Sequence, residues 1–525
     1  MGWWDRNSPC VPSVNHAPSP MKTVTPTAVL GKETELKLAL PTHDVSGLVR
    51  RLARAAVLNR RRPTQQRLHN VYFDTPDQHL RQQEVALRIR RVDGTIATHW
   101  LQTLKSGTRG NSALSHRGEW ESSVAGPTLE RDALDPVTWS HVDPHGDVFA
   151  ALTPCFVTDF MRTIWTVRRR DGSVVEVALD IGSVSGGERT TPICELELEL
   201  KGGPVSALFD IALQIAGSVP VLPLAMSKAQ RGYALAADAV DAPVKADPPR
   251  IKARMSLNDT ARIVLGEMFG QFSANLNALR HCDDPEVVHQ ARVAWRRFKS
   301  ARRLFKPVLA TTHAPDWQAL APLLDFLGEL RDLDVALGQV LPPLRDDYVA
   351  HSSERDPAWA VMLRALATAA AVQRSAVRHA LEDPAVGACL LLTTQWLEHM
   401  AAPGDAGDEG DEAADGGQPA LRRWANRRTT RLHTRLMQAH EHANDPQSLH
   451  EVRILAKRTR YSIDALQGVL PHHMVRKWYR QAADMQQQIG AERDIEQAIA
   501  LLGQLDAPND IVAFLRGVAA GRRST

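Results

Sequence analysis

The feature that most constrains this fold is an alternation of charged and apolar residues that recurs between Lys32 and Lys201. In the first segment, Glu33, Glu35 and Lys37 share one face of an extended chain, and leucines occupy the other face, because successive side chains of a strand point to opposite sides. Seven further segments have a strand-like composition. The sequence therefore predicts eight strands in this region.

The same alternation recurs in four of the other segments. Its charged members are Arg88 and Arg90; Arg117, Glu119 and Glu121; Glu176 and Asp180; and Glu195, Glu197, Glu199 and Lys201. One strand of this kind can be half-buried with its charged face in water. A dry core cannot accept the whole set, so these faces must point either to bulk water or into a wet interior.

Eight antiparallel strands are about the number that closes into a barrel with a narrow lumen. Helices predicted near residues 43–58, 205–216 and 227–237 would then cover an apolar outer surface. A lumen lined by carboxylates together with Lys and Arg is suited to an anionic guest. Carboxylate oxygens bind hard divalent cations, and these cations and the basic side chains neutralise the guest.

A series of motifs follows the first segment, Glu33-Thr-Glu35-Leu-Lys37, in a fixed order. They are YFDT (72–75), ALRIR (86–90), QTLK (102–105), RGEWE (117–121), ELELEL (195–200) and SKAQRGY (227–233). The series resembles the CYTH domain family, the triphosphate tunnel metalloenzymes, whose signature is ExExK. The resemblance covers residues 30–237 and implies an eight-stranded tunnel that acts on a triphosphate with Mg²⁺ or Mn²⁺.

The resemblance also implies roles for individual residues. Glu33 and Glu35 would bind metal with Glu195 and Glu197 of a facing strand, and Glu33, Glu35 and Lys37 form the predicted catalytic group. The predicted phosphate-binding residues are Arg88, Arg90, Lys105, Arg117, Arg162 and Lys228. The further lumen candidates, which could serve metal, water or structural ion pairs, are Glu119, Glu176 and Asp180.

The composition changes after the first region. Three prolines within residues 238–252 predict a linker, since proline can continue neither a helix nor a central strand. Long segments with helical spacing then predict an all-α domain over residues 253–520, in which the acidic residues 402–420 form a solvated loop. With residues 1–29 predicted to be a disordered lead, the chain is expected to be a multi-domain α+β protein.

The helical region contains an internal duplication. Residues 288–309 align with residues 449–470 at an offset of 161, and residues 327–337 align with residues 489–499 at an offset of 162. At about 100° per residue, the basic residues of the first pair fall on one face of a helix. The stripe consists of His289, Arg292, Arg296, Lys299 and Arg303, and the second copy repeats it as His450, Arg453, Lys457 and Arg460.

Both stripes are nearly single-signed, so their charges repel one another unless a partner neutralises them. That partner is either an anionic ligand or acids on neighbouring helices, such as Asp332 and Asp494. The repeated pattern and the later Arg-Asp motif, at residues 331–332 and 493–494, resemble the CHAD domain over residues 255–520. This resemblance implies two related four-helix bundles whose basic surface, formed by the stripe residues, binds inorganic polyphosphate. Asp464, where the first copy has Arg303, predicts weaker binding in one half.

Composition limits the remaining possibilities. A formal net charge of +3 excludes a general polycationic coat for nucleic acid, and 5% aromatic residues argue against base stacking, so no nucleic-acid partner is predicted. Five cysteines without metal-ligand spacing predict a reducing cytoplasm. The absence of a long apolar run predicts no membrane partner.

The leading interpretation is metal-dependent hydrolysis of inorganic triphosphate in the tunnel, with polyphosphate bound by the helical domain. Two alternatives stay open. One is a nucleoside or thiamine triphosphatase, or a cyclase, of the same fold. The other is a non-catalytic polyphosphate-binding protein associated with polyphosphate granules in the cytoplasm.

Overall fold

The structure is a computed structural model that describes residues 29–93, 98–107, 110–350, 352, 354–400 and 420–523. The predicted disordered lead and the predicted acidic loop lie outside these residues, apart from one terminal residue of each.

The first region is built on strands. They are β1 (Val29–Ala39), β2 (Thr64–Asp74), β3 (Val85–Asp93), β4 (Thr98–Ser106), β5 (Leu114–Val124), β6 (Thr153–Arg168), β7 (Val174–Gly186), β8 (Arg189–Gly202) and β9 (Leu222–Pro223). The helices of this region are α1 (Val45–Arg54), α2 (His79–Gln82), α3 (Pro136–Val142), α4 (Ser206–Ala216) and α5 (Lys228–Ala236). Three of them, α1, α4 and α5, correspond to the predicted helices.

Strands β1 to β8 form a closed antiparallel barrel. Its order is β1-β5-β4-β3-β2-β6-β7-β8, and closure occurs because β1 pairs with β5 on one side and with β8 on the other. The short strand β9 pairs with the end of β1, where Leu38 lies opposite Pro223. The predicted eight-stranded antiparallel barrel is therefore confirmed.

The alternation assigns the two faces of the barrel wall. Leu36 and Leu38 of β1 are fully buried in an apolar cluster on the outside, together with Leu208 and Ile211 of α4. The charged neighbours Glu33, Glu35 and Lys37 lie on the opposite face and line an interior cavity. Burial of the leucines outside the barrel, at roughly 1.5–3 kcal/mol each, leaves the interior free to be polar.

One end of the lumen departs from this pattern because it is apolar. Leu68 and Phe160 lie opposite each other on β2 and β6 and are buried with Phe156 and with Tyr233 of α5. The Phe156 and Tyr233 rings are 5.1 Å apart. A Cβ atom at Gly232 would lie closer than 3.0 Å to the Phe156 ring, so the approach of α5 requires glycine here.

The second region is helical. Its helices are α6 (Leu257–Ala278), α7 (Pro285–Leu304), α8 (Ala321–Val335), α9 (Arg345–Val349), α10 (Arg355–Ala380), α11 (Pro384–His399), α12 (Ala420–Glu441), α13 (Pro446–Leu466), α14 (His472–Gln504) and α15 (Asn509–Arg523). The duplicated segments lie on α7 and α13 and on α8 and α14. Each helix of the first copy packs against its counterpart in the second, α7 on α13 and α8 on α14. Among the described helices, none combines the length and apolarity needed to cross a lipid bilayer.

Candidate active site and basic surface

The barrel encloses a cavity of about 1180 Å³, hereafter the tunnel. Most of the predicted tunnel residues line it. They are Glu33, Glu35, Lys37, Arg88, Arg90, Lys105, Arg117, Glu119, Arg162, Glu176, Glu197 and Lys228. The strands thus bring together, in one interior, charges that the sequence distributes over nearly two hundred residues.

Glu35 and Lys37 of β1 form a buried pair. The Lys37 Nζ donates to Glu35 Oε1 at 2.9 Å, and Ser115 Oγ donates to the same oxygen at 3.2 Å. Burial by itself would raise the pKa of Glu35, but the charges of Lys37, Lys105 and Arg117 outweigh it and lower the pKa to about 2. Glu35 is therefore a carboxylate at any physiological pH.

Glu33 and Glu119 share one lysine. Lys105 Nζ lies 2.7 Å from Glu33 Oε2 and 3.1 Å from Glu119 Oε1, and Arg88 approaches Glu119 at 3.7 Å. Burial raises the pKa of Glu33; Lys105 opposes this effect, and the negative charges of Glu35 and Glu119 add to it. Burial is the largest of these effects and leaves the pKa of Glu33 raised, whereas at Glu119 the charges of Lys105 and Arg88 outweigh burial and lower the pKa.

The basic side chains are held by neutral partners as well as by acids. Arg90 Nε donates to Asn70 Oδ1 at 2.8 Å, and Arg88 lies 3.4 Å from the hydroxyl of Tyr72. Burial and the neighbouring Arg88 and Arg162 lower the pKa of Arg90 to about 10. An anion bound among these guanidinium groups would relieve their mutual repulsion.

Lys228, the first residue of α5, anchors a buried network at the apolar end. Its Nζ lies 2.5 Å from Glu195, 2.6 Å from Asp180 and 2.8 Å from Glu197. Arg231 contacts the other oxygen of Glu195 at 3.1 Å. The three carboxylates have oxygens within 4.8 Å of one another, but the ammonium group already occupies the space between them.

Two residues of the predicted set are therefore placed differently from their expected positions. The carboxylates of Glu195 and Asp180 are fully buried and do not line the tunnel; Glu195 is enclosed by Lys228 and Arg231, and Asp180 is held by Arg162 at 2.6 Å. The alternation assigned both residues to the lumen face correctly. It could not indicate that they lie near the apolar end, where α5 fills the lumen.

Further charged residues line the tunnel outside the predicted set. They are Arg81, Glu84, Glu121, Glu199 and Lys201. Glu199 lies in one cross-strand row with Glu35 and Glu176, and burial raises its pKa, against the nearby Lys201. Glu121, Glu199 and Lys201 belong to the charged alternation described above, but nothing in the sequence assigns them a role in the site. Arg81 lies on the four-residue helix α2, where no sequence pattern marks it.

The two basic stripes meet where α7 packs on α13. Lys457 lies close enough to Arg296 and Arg453 that their charges, after burial itself, lower its pKa to about 8. Within the described part of the chain, none of the nine predicted stripe residues forms an ion pair with a carboxylate at 4.0 Å or less. Among the described residues, the buried Nε atoms of Arg296 and Arg453 find no hydrogen-bond partner. We call these nine residues the basic surface.

Each aspartate of the Arg-Asp motifs lies within the electrostatic influence of an arginine from the other copy. Asp494 is influenced by Arg331 of the first copy, and Asp332 is influenced by Arg493 of the second. Burial raises the pKa of both aspartates, and the surrounding arginines oppose this effect. These acids moderate the positive field of the basic surface without pairing directly with it.

The two stripes differ in their contacts. Lys299 is exposed, whereas its counterpart Arg460 donates to Gln486 at 3.1 Å and lies over the rings of Tyr461 and Tyr479. Sequence reasoning also missed the arginines of α12. They are Arg422, Arg423, Arg427, Arg428, Arg431 and Arg435, in a segment, residues 420–440, without a single acid.

In comparisons with known proteins, the strand region and the helical region match two different family models. Residues 31–233 match the family model of the CYTH domain, and residues 263–503 match that of the CHAD domain. An inorganic triphosphatase of Haemophilus influenzae is 34% identical over 208 residues. The match takes in 39% of this chain and 56% of the relative, so it spans little more than half of that protein.

Two solved structures show more distant similarity. The CHAD domain of the plant Ricinus communis is 24% identical with a TM-score of 0.45, over 54% of this chain and 91% of that one. A putative adenylyl cyclase from Hippeastrum, described as having a dominant triphosphatase activity, is 20% identical with a TM-score of 0.27, over 39% of this chain and 96% of that one. Both TM-scores are below 0.5, so the fold assignment depends on the strand topology and the family matches.

Proposed function

This chain joins a CYTH domain to a CHAD domain, and we propose that it is a metal-dependent hydrolase of inorganic triphosphate. The observation that carries the proposal is the tunnel itself: Glu33 and Glu35 face an enclosed cavity whose other walls present Arg88, Lys105 and Arg117. A triphosphate needs this combination, because its oxygens are neutralised by basic groups and by cations that carboxylates hold.

The carboxylates that line the tunnel are suited to binding a divalent cation. Glu33 and Glu35 offer oxygen ligands of the kind that Mg²⁺ and Mn²⁺ prefer. The raised pKa of Glu33 arises partly from repulsion by Glu35 and Glu119, which a divalent cation would relieve. Glu197 is the third ligand that we propose, since Glu35 and Glu197 are close enough to influence each other electrostatically. A bound cation would supply Lewis-acid polarisation of a phosphoryl oxygen.

The protein's own residues would bind and orient the substrate. Arg88, Arg90, Lys105, Arg117 and Arg162 would hold the phosphate oxygens and stabilise their charge in the loose transition state. Lys37, fixed by Glu35, would contribute a further positive charge. A tunnel carboxylate that is not saturated by metal, such as Glu119 or Glu176, would orient the attacking water.

The helical domain would bind inorganic polyphosphate on the basic surface. The absence of ion pairs on this surface within the described residues, and the unpartnered Nε atoms of Arg296 and Arg453, support an anionic ligand. Tethering such a surface to the tunnel would raise the local substrate concentration. We further propose domain boundaries at residues 30–237 and 253–520, and a cytoplasmic location, free or at polyphosphate granules. The free thiols of Cys155, Cys194, Cys282 and Cys389 agree with a reducing compartment.

The test is a substrate and metal panel. Phosphate release is measured from tripolyphosphate, ATP, thiamine triphosphate and long-chain polyphosphate, each with Mg²⁺, with Mn²⁺ and with chelator. We expect turnover of tripolyphosphate that requires the cation and is lost in Glu35→Gln. The exposed Glu188, outside the tunnel, provides a matched control as Glu188→Gln. Preferential turnover of ATP or thiamine triphosphate would favour the nucleoside or thiamine alternative, and no turnover of any substrate would refute the hydrolase.

A further inference from the structure

Each of the two domains contributes a leucine to the apolar cluster of the other. Leu391 of α11 belongs to the apolar cluster on the outside of the barrel, and Leu222 of β9 belongs to the core of the helical domain. A Cβ atom at Gly387 of α11 would lie closer than 3.0 Å to the carbonyl oxygen of Val221. The helix therefore packs directly against the backbone that leads into β9, without room for a side chain at Gly387.

Helix α6 makes a second contact, with the segment that leads into β5. Asn111 Nδ2 donates to Glu267 Oε2 at 2.7 Å. One turn further along α6, a Cβ atom at Gly270 would lie 2.6 Å from the carbonyl oxygen of Asn111 and still closer to its Cβ. The adjacent Ser112 donates to Glu398 of α11 at 2.8 Å. Both helices thus hold this short segment.

The two segments held by the helical domain are the ones that bond to the backbone of Lys37. The Lys37 amide donates to the carbonyl of Ala113 at 3.0 Å, and the Lys37 carbonyl accepts from the amide of Leu224 at 2.9 Å. Ala113 follows the segment that α6 contacts, and Leu224 follows β9. Along one edge of β1, the backbone of Lys37 is therefore bonded to two segments that adjoin contacts with the helical domain.

Two polar side chains of the α6 end reinforce this contact. Asn277 Nδ2 donates to the carbonyl of Pro223 in β9 at 2.9 Å. The guanidinium of Arg280 donates to the carbonyl of Leu40, the residue that follows β1. The helical domain therefore holds β1 at its end, at its partner β9, and through the segment preceding β5.

We propose that the helical domain is a positioning element of the tunnel site, with Gly270 and Asn277 as positioning residues that keep Glu35 and Lys37 in place. The proposal rests on the proposed triphosphatase function. It assigns the helical domain a role in turnover that is separate from binding polyphosphate on the basic surface.

Two neighbouring glycines of α6 provide a matched test. At Gly270 a methyl group would meet Asn111, whereas at Gly266, one turn earlier, it would meet no atom of the described residues within 4 Å. Both Gly→Ala changes raise helix propensity equally, so their difference isolates the domain contact. In Gly270→Ala the Asn111 segment must move by about 1 Å, and a displacement of that size at a catalytic group costs up to about 100-fold in rate.

The experiment compares the full-length wild type, Gly270→Ala and Gly266→Ala. We expect Gly270→Ala to lower kcat for tripolyphosphate about 10- to 100-fold, with little change in KM or in affinity for long-chain polyphosphate, and Gly266→Ala to match the wild type. Hydrogen–deuterium exchange at the amides of Lys37 and Leu224 should become faster only in Gly270→Ala. Unchanged kcat and exchange in Gly270→Ala, or equal effects of the two variants, would overturn the proposal.

The exchange measurement separates this proposal from the proposed function. If the wild type did not hydrolyse triphosphate, the hydrolase would be refuted, and exchange at Lys37 would still show whether α6 holds β1. If Gly270→Ala did not fold, Asn277→Ala would serve instead, since it removes one bond to β9 without adding bulk. We expect a smaller fall in kcat and faster exchange at Leu224; an unchanged rate of exchange would contradict the proposal.

Discussion

Replacing Lys228 by methionine is the sharpest test of the buried network at the apolar end of the lumen. The change keeps the length of the side chain but removes an ammonium group that contacts Asp180, Glu195 and Glu197 at 2.5 to 2.8 Å. Lys228 is 6% exposed, and Asp180 and Glu195 are 0% exposed. Water therefore cannot replace the lost charge.

The magnitude follows from the contacts that remain. Removal of one partner from a buried ion pair costs about 3–5 kcal/mol, because the other charge is left without compensation. Arg231 still contacts Glu195, and Arg162 still contacts Asp180 and Glu197, so we expect a loss of about 3 kcal/mol in the free energy of unfolding of the barrel at pH 8.

The loss should depend on pH. In the wild type, burial would raise the pKa of Glu197, but Lys228 and Arg162 hold it well below 4.5, so its stabilising contribution is present above pH 4.5 and is lost as the pH falls. Without Lys228, fewer positive charges oppose the burial of Glu197, so we expect its pKa to be higher in the variant than in the wild type. The folded variant then binds more protons than the folded wild type, and the stability deficit of the variant shrinks as the pH falls.

The assay is urea unfolding of the barrel at pH 5 and pH 8, with the exposed Lys245→Met as control. A deficit of about 3 kcal/mol at pH 8 that shrinks at pH 5 is expected. A deficit below about 1 kcal/mol, or one that does not change with pH, would refute the argument that the network is buried and charged.

Three further predictions concern the basic surface and the apolar end of the lumen. The pKa of Lys457 is lowered to about 8, so this residue is charged only below that pH. We therefore expect the affinity for long-chain polyphosphate, measured in a binding titration, to fall as the pH rises from 7 to 9. In Lys457→Arg, which stays charged over this range, the fall should be smaller. Arg296→Glu combined with Lys457→Glu should weaken polyphosphate binding at least tenfold while sparing tripolyphosphate cleavage; unchanged binding would exclude this surface as the binding site. Gly232→Ala forces a Cβ against the Phe156 ring and should destabilise the barrel by about 1–3 kcal/mol, measured by urea unfolding; wild-type stability would contradict the tight fit of α5.

The barrel could be predicted because alternation is a local property of the sequence. In residues 33–37 of β1 and residues 195–201 of β8, every second residue is charged, and the structure places these residues on the inner face of the barrel. The duplication likewise identified the basic stripes, since the offset between copies is independent of any structural assumption. The strand alternation and the helical stripes are both periodic, and a periodic pattern determines which residues share one face of a strand or helix.

A periodic pattern does not determine how far along the lumen a residue lies. This explains why the structure places Glu195 and Asp180 outside the tunnel. Glu195 and Glu197 are equivalent in the pattern, yet only Glu197 reaches the tunnel, because α5 fills the lumen beside Glu195. The apolar end formed around Leu68 and Phe160 depends on strand register, and β9 is too short to give any signal. Contacts of the helical domain with β1 depend on tertiary packing alone.

We propose that the inward-facing charges of the barrel form the site at which triphosphate and metal bind. A crystal structure of the full chain with tripolyphosphate and Mn²⁺, recorded with anomalous scattering, tests it most directly. The account predicts an anomalous peak beside Glu33 and Glu35 and a phosphate chain contacting Arg88, Lys105 and Arg117. Manganese or phosphate bound only outside the tunnel, with those side chains still paired among themselves, would contradict it.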